Sequence, residues 1–129
     1  MTPEILVDTD VLIDYLRDHP QAIRFVESHA EALQLSVINV AEIWAGVRGA
    51  QEQQKIETLF ETFPILNITP RIAKRAGDWM RTYFKSHALA MPDALIAATA
   101  LENNLELKTL NVGHFPMFKG LAPPYRRGS

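Results

Sequence analysis

Short apolar segments alternate with amphipathic segments along almost the whole chain, and this alternation most limits the folds open to it. Four segments have the length and the branched residues of buried strands. They are EILVD (4–8), ALQLSV (32–37), PILNIT (64–69) and LELKTL (105–110). Because strands separated by helices pair in parallel, the pattern predicts an α/β sandwich. Its sheet is short and mostly parallel, with about four to five strands flanked by helices.

The segments between these strands have the apolar spacing of helices. The predicted helices cover residues 9–19, 21–30, 38–49, 52–63, 70–87 and 91–104. Thr9 or Asp10 is expected to cap the first helix, and Gly49 to end the third. Pro70 and Pro92 occupy the first-turn positions that proline favours in the last two helices.

The composition is that of one globular domain. The chain has 129 residues, of which 47% are hydrophobic and 22% charged, and it contains no cysteine. The absence of cysteine excludes disulfides, zinc–thiolate sites and thiol nucleophiles. We predict a single domain over residues 1–122 and a flexible, proline-rich tail over residues 123–129. A net charge of -2 means that a nucleic-acid partner would need a local positive surface or metal ions.

The chain lacks the sequence signals of a membrane or exported protein. No apolar run approaches the roughly 20 residues of a membrane span. The N-terminal residues lack the basic region and apolar core of a signal peptide. These features predict a cytoplasmic protein with no membrane partner.

Three aspartates, Asp8, Asp10 and Asp14, lie within the apolar run ILVDTDVLIDYL (5–16). Carboxylates in such a run are costly unless something compensates them. Asp8 ends the first predicted strand, and ligand sites of parallel sheets usually lie beyond the carboxyl ends of their strands. If the last strand, which ends before Asn111, is adjacent to the first, that edge of the sheet becomes a candidate site.

Two further carboxylates belong to helices that could reach this edge. Glu42 has apolar neighbours in the third helix, and Asp93 lies in the first turn of the sixth. Clustered carboxylates raise one another's pKa, and a hard cation such as Mg²⁺ or Mn²⁺ relieves the repulsion. With His114 as the one histidine near the cluster, oxygen-ligated Mg²⁺ or Mn²⁺ is favoured over zinc.

Each acid also has a structural interpretation. Asp8 can be a turn or cap residue, Asp93 can complement the helix dipole, and Glu42 can lie on a solvated face. The order of the three acids along the strand–helix pattern favours the metal site.

Several stretches, in their order along the chain, carry a family resemblance. They are VDTDVLIDYL (7–16), SVINVAEIWAGV (36–47), PDALIAATALENNLELKTLN (92–111) and HFP (114–116). With them the chain resembles the PIN-domain ribonucleases, specifically the VapC-type toxins of VapBC toxin–antitoxin modules. The resemblance implies a Rossmann-like PIN fold, a Mg²⁺- or Mn²⁺-dependent endoribonuclease, an RNA substrate, a cognate antitoxin and a homodimer.

The resemblance also implies roles for individual residues. Asp8, Glu42 and Asp93 match the family's three acidic metal and catalytic positions. The fourth acidic position falls near Asn111, an amide that would be a weak ligand at most. Asp10 falls where the family often has Asn or Ser, and we expect it to cap or support the site.

Substrate contacts are expected from the polar residues around the acids. They are Thr9, Asn111 and His114, of which His114 could instead stabilise its turn. The implied reaction is attack of water on an RNA phosphodiester, leaving 3'-hydroxyl and 5'-phosphate ends.

The fifth helix carries a basic stripe that could bind phosphates or simply be solvated. The stripe consists of Lys74, Arg75, Arg81 and Lys85.

Two other functions remain open from the sequence. ILVDTDVL also resembles the opening of the haloacid-dehalogenase phosphatases, in which Asp8 would be the nucleophile and Asp10 the acid/base. Alternatively, the chain is a PIN-like module that binds RNA or antitoxin without cleaving, an interpretation favoured by the amide of Asn111.

Overall fold

A parallel sheet of four strands forms the centre of the computed structural model, which describes residues 4–126. The strands are β1 (Ile5–Val7), β2 (Leu33–Ser36), β3 (Ile65–Leu66) and β4 (Glu106–Lys108). They pair in the order β3-β2-β1-β4, and every pairing is parallel. The predicted α/β sandwich with a short parallel sheet is therefore confirmed.

Six α-helices connect and cover the strands. They are α1 (Thr9–Leu16), α2 (Pro20–Ser28), α3 (Val37–Ala45), α4 (Gly49–Thr62), α5 (Pro70–His87) and α6 (Met91–Glu102). A 3₁₀ turn, Val112–His114, follows β4. All six predicted helices are present, and none of the helices within residues 4–126 is long and apolar enough to cross a bilayer.

The predicted cap of α1 and the predicted end of α3 were wrong, and α1, α2 and α6 also end two or three residues earlier than predicted. The cap of α1 is Asp8, which is the last extended residue before the helix and accepts a hydrogen bond from the Thr9 amide at 2.8 Å. Helix α3 ends at Ala45, before the position predicted from Gly49. Gly49 begins α4 with φ of 75°, a left-handed conformation that glycine adopts without steric cost.

The apolar core lies on both faces of the sheet, as the pleat of β1 requires. Ile5 and Val7 point into a cluster with side chains of α1, α2, α3 and α4. Leu6, between them, points to the opposite face and packs with Ile96 of α6 and Leu107 of β4. Strand β1 is thus buried on both sides, which explains its unbroken apolar sequence.

The chain end returns to the first two helices. The Tyr125 hydroxyl donates to Asp14 Oδ2 at 2.8 Å, and its ring stacks on His19 at a centroid distance of 5.5 Å. Residues 127–129 of the predicted tail lie outside the described residues. The division into a domain over 1–122 and a flexible tail over 123–129 stays a prediction.

Candidate active site

The carboxyl ends of β1 and β4 lie side by side at one edge of the sheet. Val7 pairs with Lys108, and the Asp8 amide donates to the Lys108 carbonyl at 2.8 Å. The segments that leave these strands, residues 8–10 and 109–111, therefore start from the same place. The adjacency on which the predicted site depended is present.

Asp8 is buried there, with 6% of its surface exposed. Its Oδ1 accepts from the Thr9 amide at 2.8 Å, and its Oδ2 accepts from the Thr109 hydroxyl at 2.7 Å. These two hydrogen bonds compensate the burial of the carboxylate. Asp8 therefore does cap α1, and Thr109 holds its second oxygen.

Glu42 reaches the same region from α3. The side chain is half-buried, and its Oε1 accepts from the Thr9 hydroxyl at 2.7 Å. Thr9 in turn accepts from Nδ2 of Asn39, a fully buried residue of α3, at 2.9 Å. Glu42 is therefore held by a buried polar network that begins one residue after Asp8.

Asp93 completes the acidic group from the first turn of α6. Burial, together with the negative charges of Asp8 and Glu42, raises the pKa of Asp93 to about 6. The positive charge of His114 opposes this rise. Since the charges of Asp8 and Glu42 act on Asp93, the three carboxylates share one electrostatic environment.

The three carboxylates, as placed, do not form a coordination sphere. Among residues 4–126, no three acidic or histidine side chains stand close enough together to hold a metal ion as they are placed. Their chemistry nevertheless fits a hard divalent cation, because all three offer carboxylate oxygens. A positive charge between them would also relieve the repulsion that, in addition to burial, raises the pKa of Asp93.

Asp10 has a different environment from the other acids. Its Oδ1 accepts from the Val11 amide at 2.7 Å, while its Oδ2 accepts from the Leu110 amide at 3.1 Å and from Asn111 Nδ2 at 2.8 Å. Asp10 therefore ties α1 to the segment after β4 and directs the Asn111 amide group toward itself.

His114 lies in the 3₁₀ turn, with an exposed side chain. Its Nδ1 is 3.8 Å from Asp93 Oδ2, an ion pair whenever the imidazole is protonated. The sequence had placed His114 near the site, but it gave no sign that Asp93 would be its neighbour.

Two residues of the network had no role in the sequence interpretation. Thr109 was included only as part of the last predicted strand, 105–110. Asn39 carried a weak signal, a polar side chain among apolar residues of α3 and one turn before Glu42. Both side chains are fully buried.

The basic stripe of α5 is largely paired with acids. Lys74 and Arg81 contact Asp78 at 3.0 and 2.8 Å, and Arg75 forms an ion pair with Glu102. The hydrogen bond from Lys74, with a smaller contribution from Arg81, lowers the pKa of Asp78. These pairs reduce the charge that the stripe could offer to a phosphate backbone.

The fold and the site define an α/β protein with clustered carboxylates at the carboxyl edge of a parallel sheet. The model of the PIN domain family matches residues 5–113. The chain is 45% identical over 124 residues to ribonuclease VapC10 of Mycobacterium tuberculosis, covering 94% of this chain and 92% of that protein. It is 37% identical to ribonuclease VapC19 of the same organism, covering 93% and 98%.

A solved structure shows the same architecture. A toxin–antitoxin complex from Klebsiella pneumoniae contains a chain that matches with a TM-score of 0.81 and 31% identity, covering 95% of this chain and 99% of that one. The chain described here belongs to the PIN domain family and, within it, to the VapC ribonucleases. The resemblance seen in the sequence and the predicted PIN fold are both confirmed.

The family excludes the phosphatase interpretation of Asp8 and Asp10. The geometry agrees, because a haloacid-dehalogenase acid/base must reach the substrate with its carboxyl group. The Asp10 carboxylate instead accepts hydrogen bonds from Leu110 and Asn111.

Proposed function

We propose that this chain is the toxin of a toxin–antitoxin pair, acting in the cytoplasm as a divalent-metal-dependent endoribonuclease. The observation that carries the proposal is the placement of three acids from separate segments. Asp8 lies where β1 and β4 end, Glu42 accepts a hydrogen bond from the next residue, Thr9, and the charges of Asp8 and Glu42 act on Asp93. Membership of the VapC ribonucleases supplies the substrate class.

We assign the metal to these three acids. Asp8 and Asp93 are proposed as direct ligands, and Glu42 as a third ligand or as the group that orients the attacking water. Asn111 would be a weak ligand at most, because it offers a neutral amide oxygen in place of a carboxylate. Mg²⁺ is the proposed ion, with Mn²⁺ as a substitute, since both favour oxygen ligands.

When bound, the cation lowers the pKa of a water and stabilises negative charge on the phosphodiester. The water oxygen then bonds to phosphorus while the bond from phosphorus to the ribose 3'-oxygen breaks. The 3'-oxygen takes up a proton from solvent water and leaves as a hydroxyl, and the phosphate stays on the 5' end of the next nucleotide. Glu42 is the chain's own group that can accept the proton of the attacking water.

Substrate contacts are proposed for the polar side chains at the rim of the site. Asn111 and His114 are exposed beside the acids, and a protonated His114 can bind a phosphate oxygen. Thr9 is buried and donates its hydroxyl hydrogen to Glu42. Contact between Thr9 and the substrate stays a prediction.

The test is RNA cleavage by the purified, antitoxin-free chain in Mg²⁺, Mn²⁺ or EDTA. Asp93→Asn should abolish cleavage, whereas Asp78→Asn, an identical change on an exposed part of α5, should not. Discrete fragments with 5'-phosphate ends that require metal support the proposal. Metal-dependent cleavage that survives Asp93→Asn would refute the assigned site.

The same experiment tests the non-catalytic alternative, which the Asn111 amide favours. A chain that binds RNA and Mn²⁺ but leaves RNA intact would support that alternative. Restoring an acid with Asn111→Asp should then produce cleavage.

We propose that the antitoxin docks in a groove between α1, α2 and α4. The groove encloses a cavity of about 390 Å³, with Tyr15, Leu59 and Phe63 among its lining residues and Lys55 and Asp18 at its rim. This mixture of apolar and charged groups suits an amphipathic segment of a protein partner. The solved structure with 31% identity is itself a toxin–antitoxin complex.

Co-purification with the antitoxin encoded beside the toxin gene tests the groove. Thr58→Arg, on its exposed wall, should weaken the complex, and Gln51→Arg, exposed on the same helix but outside the groove, should not. Equal effects of the two variants would place the antitoxin elsewhere. The homodimer stays a prediction, which light scattering of the free chain would test.

A further inference from the structure

We propose that Asn39 is a positioning residue for Glu42, acting through the hydroxyl of Thr9. The inference deepens the proposed function, since it concerns how one acid of that site is presented to a metal ion. It rests on a buried chain of hydrogen bonds whose direction is fixed at one end by the backbone.

The fixed end is the Ser36 amide at the end of β2. This N–H can only donate, and it donates to Asn39 Oδ1 at 2.8 Å. The other end of the Asn39 side chain is therefore its Nδ2, which faces Thr9 Oγ1 at 2.9 Å. Because Asn39 is fully buried, water cannot replace either partner without a large rearrangement.

The direction of the first hydrogen bonds determines the role of the Thr9 hydroxyl. An amide Nδ2 only donates, so the Thr9 oxygen accepts from it and keeps its single hydrogen for another partner. That partner is Glu42 Oε1 at 2.7 Å. Within residues 4–126, no hydrogen bond to the other oxygen, Oε2, is formed, so this oxygen stays available.

The consequence is an oriented carboxylate. The hydrogen bond from the Thr9 hydroxyl restricts the rotation of the Glu42 side chain. Without Asn39, the Thr9 hydroxyl could turn away, and Glu42 would have to be ordered at the moment of metal binding. Groups that orient metal ligands in this way typically change metal affinity by 10- to 100-fold.

A competing explanation is that Asn39 serves only the helix. Ser36 and Asn39 form a capping box for α3, in which Ser36 Oγ accepts from the Ile38 amide at 3.0 Å. Loss of a cap would weaken α3 without any specific effect on Glu42. The two roles can be separated, because the cap needs Ser36 and Asn39 while the positioning chain needs Asn39 and Thr9.

The experiment measures Mn²⁺ affinity by calorimetry on the full chain, with urea unfolding to confirm that each variant is folded. Asn39→Ala and Thr9→Val should each weaken Mn²⁺ binding by about 10-fold or more. The double variant should bind Mn²⁺ no more weakly than either single variant, because each substitution already breaks the same series of hydrogen bonds. Thr9→Ser, which keeps the hydroxyl, should restore affinity to within about 3-fold of wild type.

Ser36→Ala is the matched control. It removes the capping hydrogen bond of Ser36 Oγ in α3 and leaves the hydrogen bonds from Asn39 to Thr9 and from Thr9 to Glu42 in place. It should lower stability with little change in Mn²⁺ affinity. If Asn39→Ala weakens Mn²⁺ binding no more than Ser36→Ala does, or if Thr9→Val has no effect, the positioning role is refuted.

A second measurement separates this inference from the proposed function. If the wild-type chain binds no Mn²⁺, the metal site itself is wrong. The ¹³C chemical shift of the Glu42 carboxylate in the metal-free protein then shows whether the hydrogen bonds from Asn39 through Thr9 affect Glu42. Thr9→Val and Asn39→Ala should both change that shift and Ser36→Ala should not, and any other pattern overturns the inference.

Discussion

Replacing Asp93 by Asn should stabilise the metal-free protein at neutral and alkaline pH. The Asp93 side chain keeps only 23% of its exposure and lies near the charges of Asp8 and Glu42. These conditions raise its pKa from 3.8 to about 6, so the native state must pay for ionising this group. Asparagine has nearly the same shape and never ionises.

The sign and the pH range follow from proton linkage. The folded state binds the Asp93 proton more tightly than the unfolded state does. The contribution of this proton to the free energy of unfolding is therefore fully present below pH 3.8. It is lost as the pH rises through about 6, and the loss is complete above that value. The difference between Asp93→Asn and wild type should therefore be close to zero at pH 3.5 and largest at pH 8.

The size of the effect follows from the same pKa values. Each pKa unit corresponds to about 1.4 kcal/mol, which gives about 3 kcal/mol for the whole rise. The charge in the first turn of α6 also interacts favourably with the helix dipole, by about 0.3–1 kcal/mol, and Asn gives this up. We therefore expect a net gain of about 2 kcal/mol in the free energy of unfolding at pH 8.

Urea unfolding in EDTA, followed by tryptophan fluorescence at pH 3.5, 6 and 8, measures the effect. The matched control is Asp78→Asn, because Lys74 and Arg81 lower the pKa of Asp78, and its removal should not stabilise the protein at pH 8. If Asp93→Asn is no more stable than wild type at pH 8, or if its gain in the free energy of unfolding is the same at pH 3.5, 6 and 8, the electrostatic argument is wrong.

Manganese should reverse the order of the two proteins. A ligand at 100 times its Kd stabilises the state that binds it by about 2.7 kcal/mol. Wild type should gain that amount in saturating Mn²⁺ at pH 8, and Asp93→Asn should gain much less. Equal gains would show that Mn²⁺ binds somewhere other than Asp93.

Three further predictions concern residues around the site and the core. Asp10→Asn should weaken RNA cleavage without abolishing it, since it loosens the contact with Asn111 but leaves the three metal-site acids in place, and complete loss in a cleavage assay would contradict this role. Leu12→Ala should lower the free energy of unfolding by about 2–5 kcal/mol in urea titration, because the side chain is fully buried, and a loss below 1 kcal/mol would mean that the core refills the space. Tyr125→Phe should cost about 1 kcal/mol in the same assay through loss of the hydrogen bond to Asp14, whereas no change would favour the loosely attached tail predicted from the sequence.

Much of the fold was predictable because it depends on local patterns. Strand β1 has a continuous apolar sequence, and α5 begins at Pro70 and ends at His87 as predicted. Side-chain periodicity and helix-terminal residues act over a few positions, so one sequence is enough to find them. The errors at α1 and α3 concern the cap of α1, which is the last residue of the preceding extended segment, and the end of α3, which comes before Gly49.

The acids could be proposed from the sequence, but their partners could not. Asp8 follows a strand and Asp93 opens a helix, which are positions that the chain itself reveals. The bonds from Thr109 to Asp8 and from Thr9 to Glu42 join residues that are 101 and 33 positions apart. No local pattern specifies such a pair.

The sequence by itself determined the order of strands and helices, the buried faces and the acids at the ends of elements. The tertiary structure decided that β4 lies beside β1, that Asp10 binds Asn111 and that Asn39 reaches Glu42 through Thr9. The reason is physical. Periodicity shows which side of an element is apolar, whereas a hydrogen-bond partner depends on how several elements pack. The direction of the bonds from Asn39 to Glu42 depends in turn on the Ser36 amide, which can only donate.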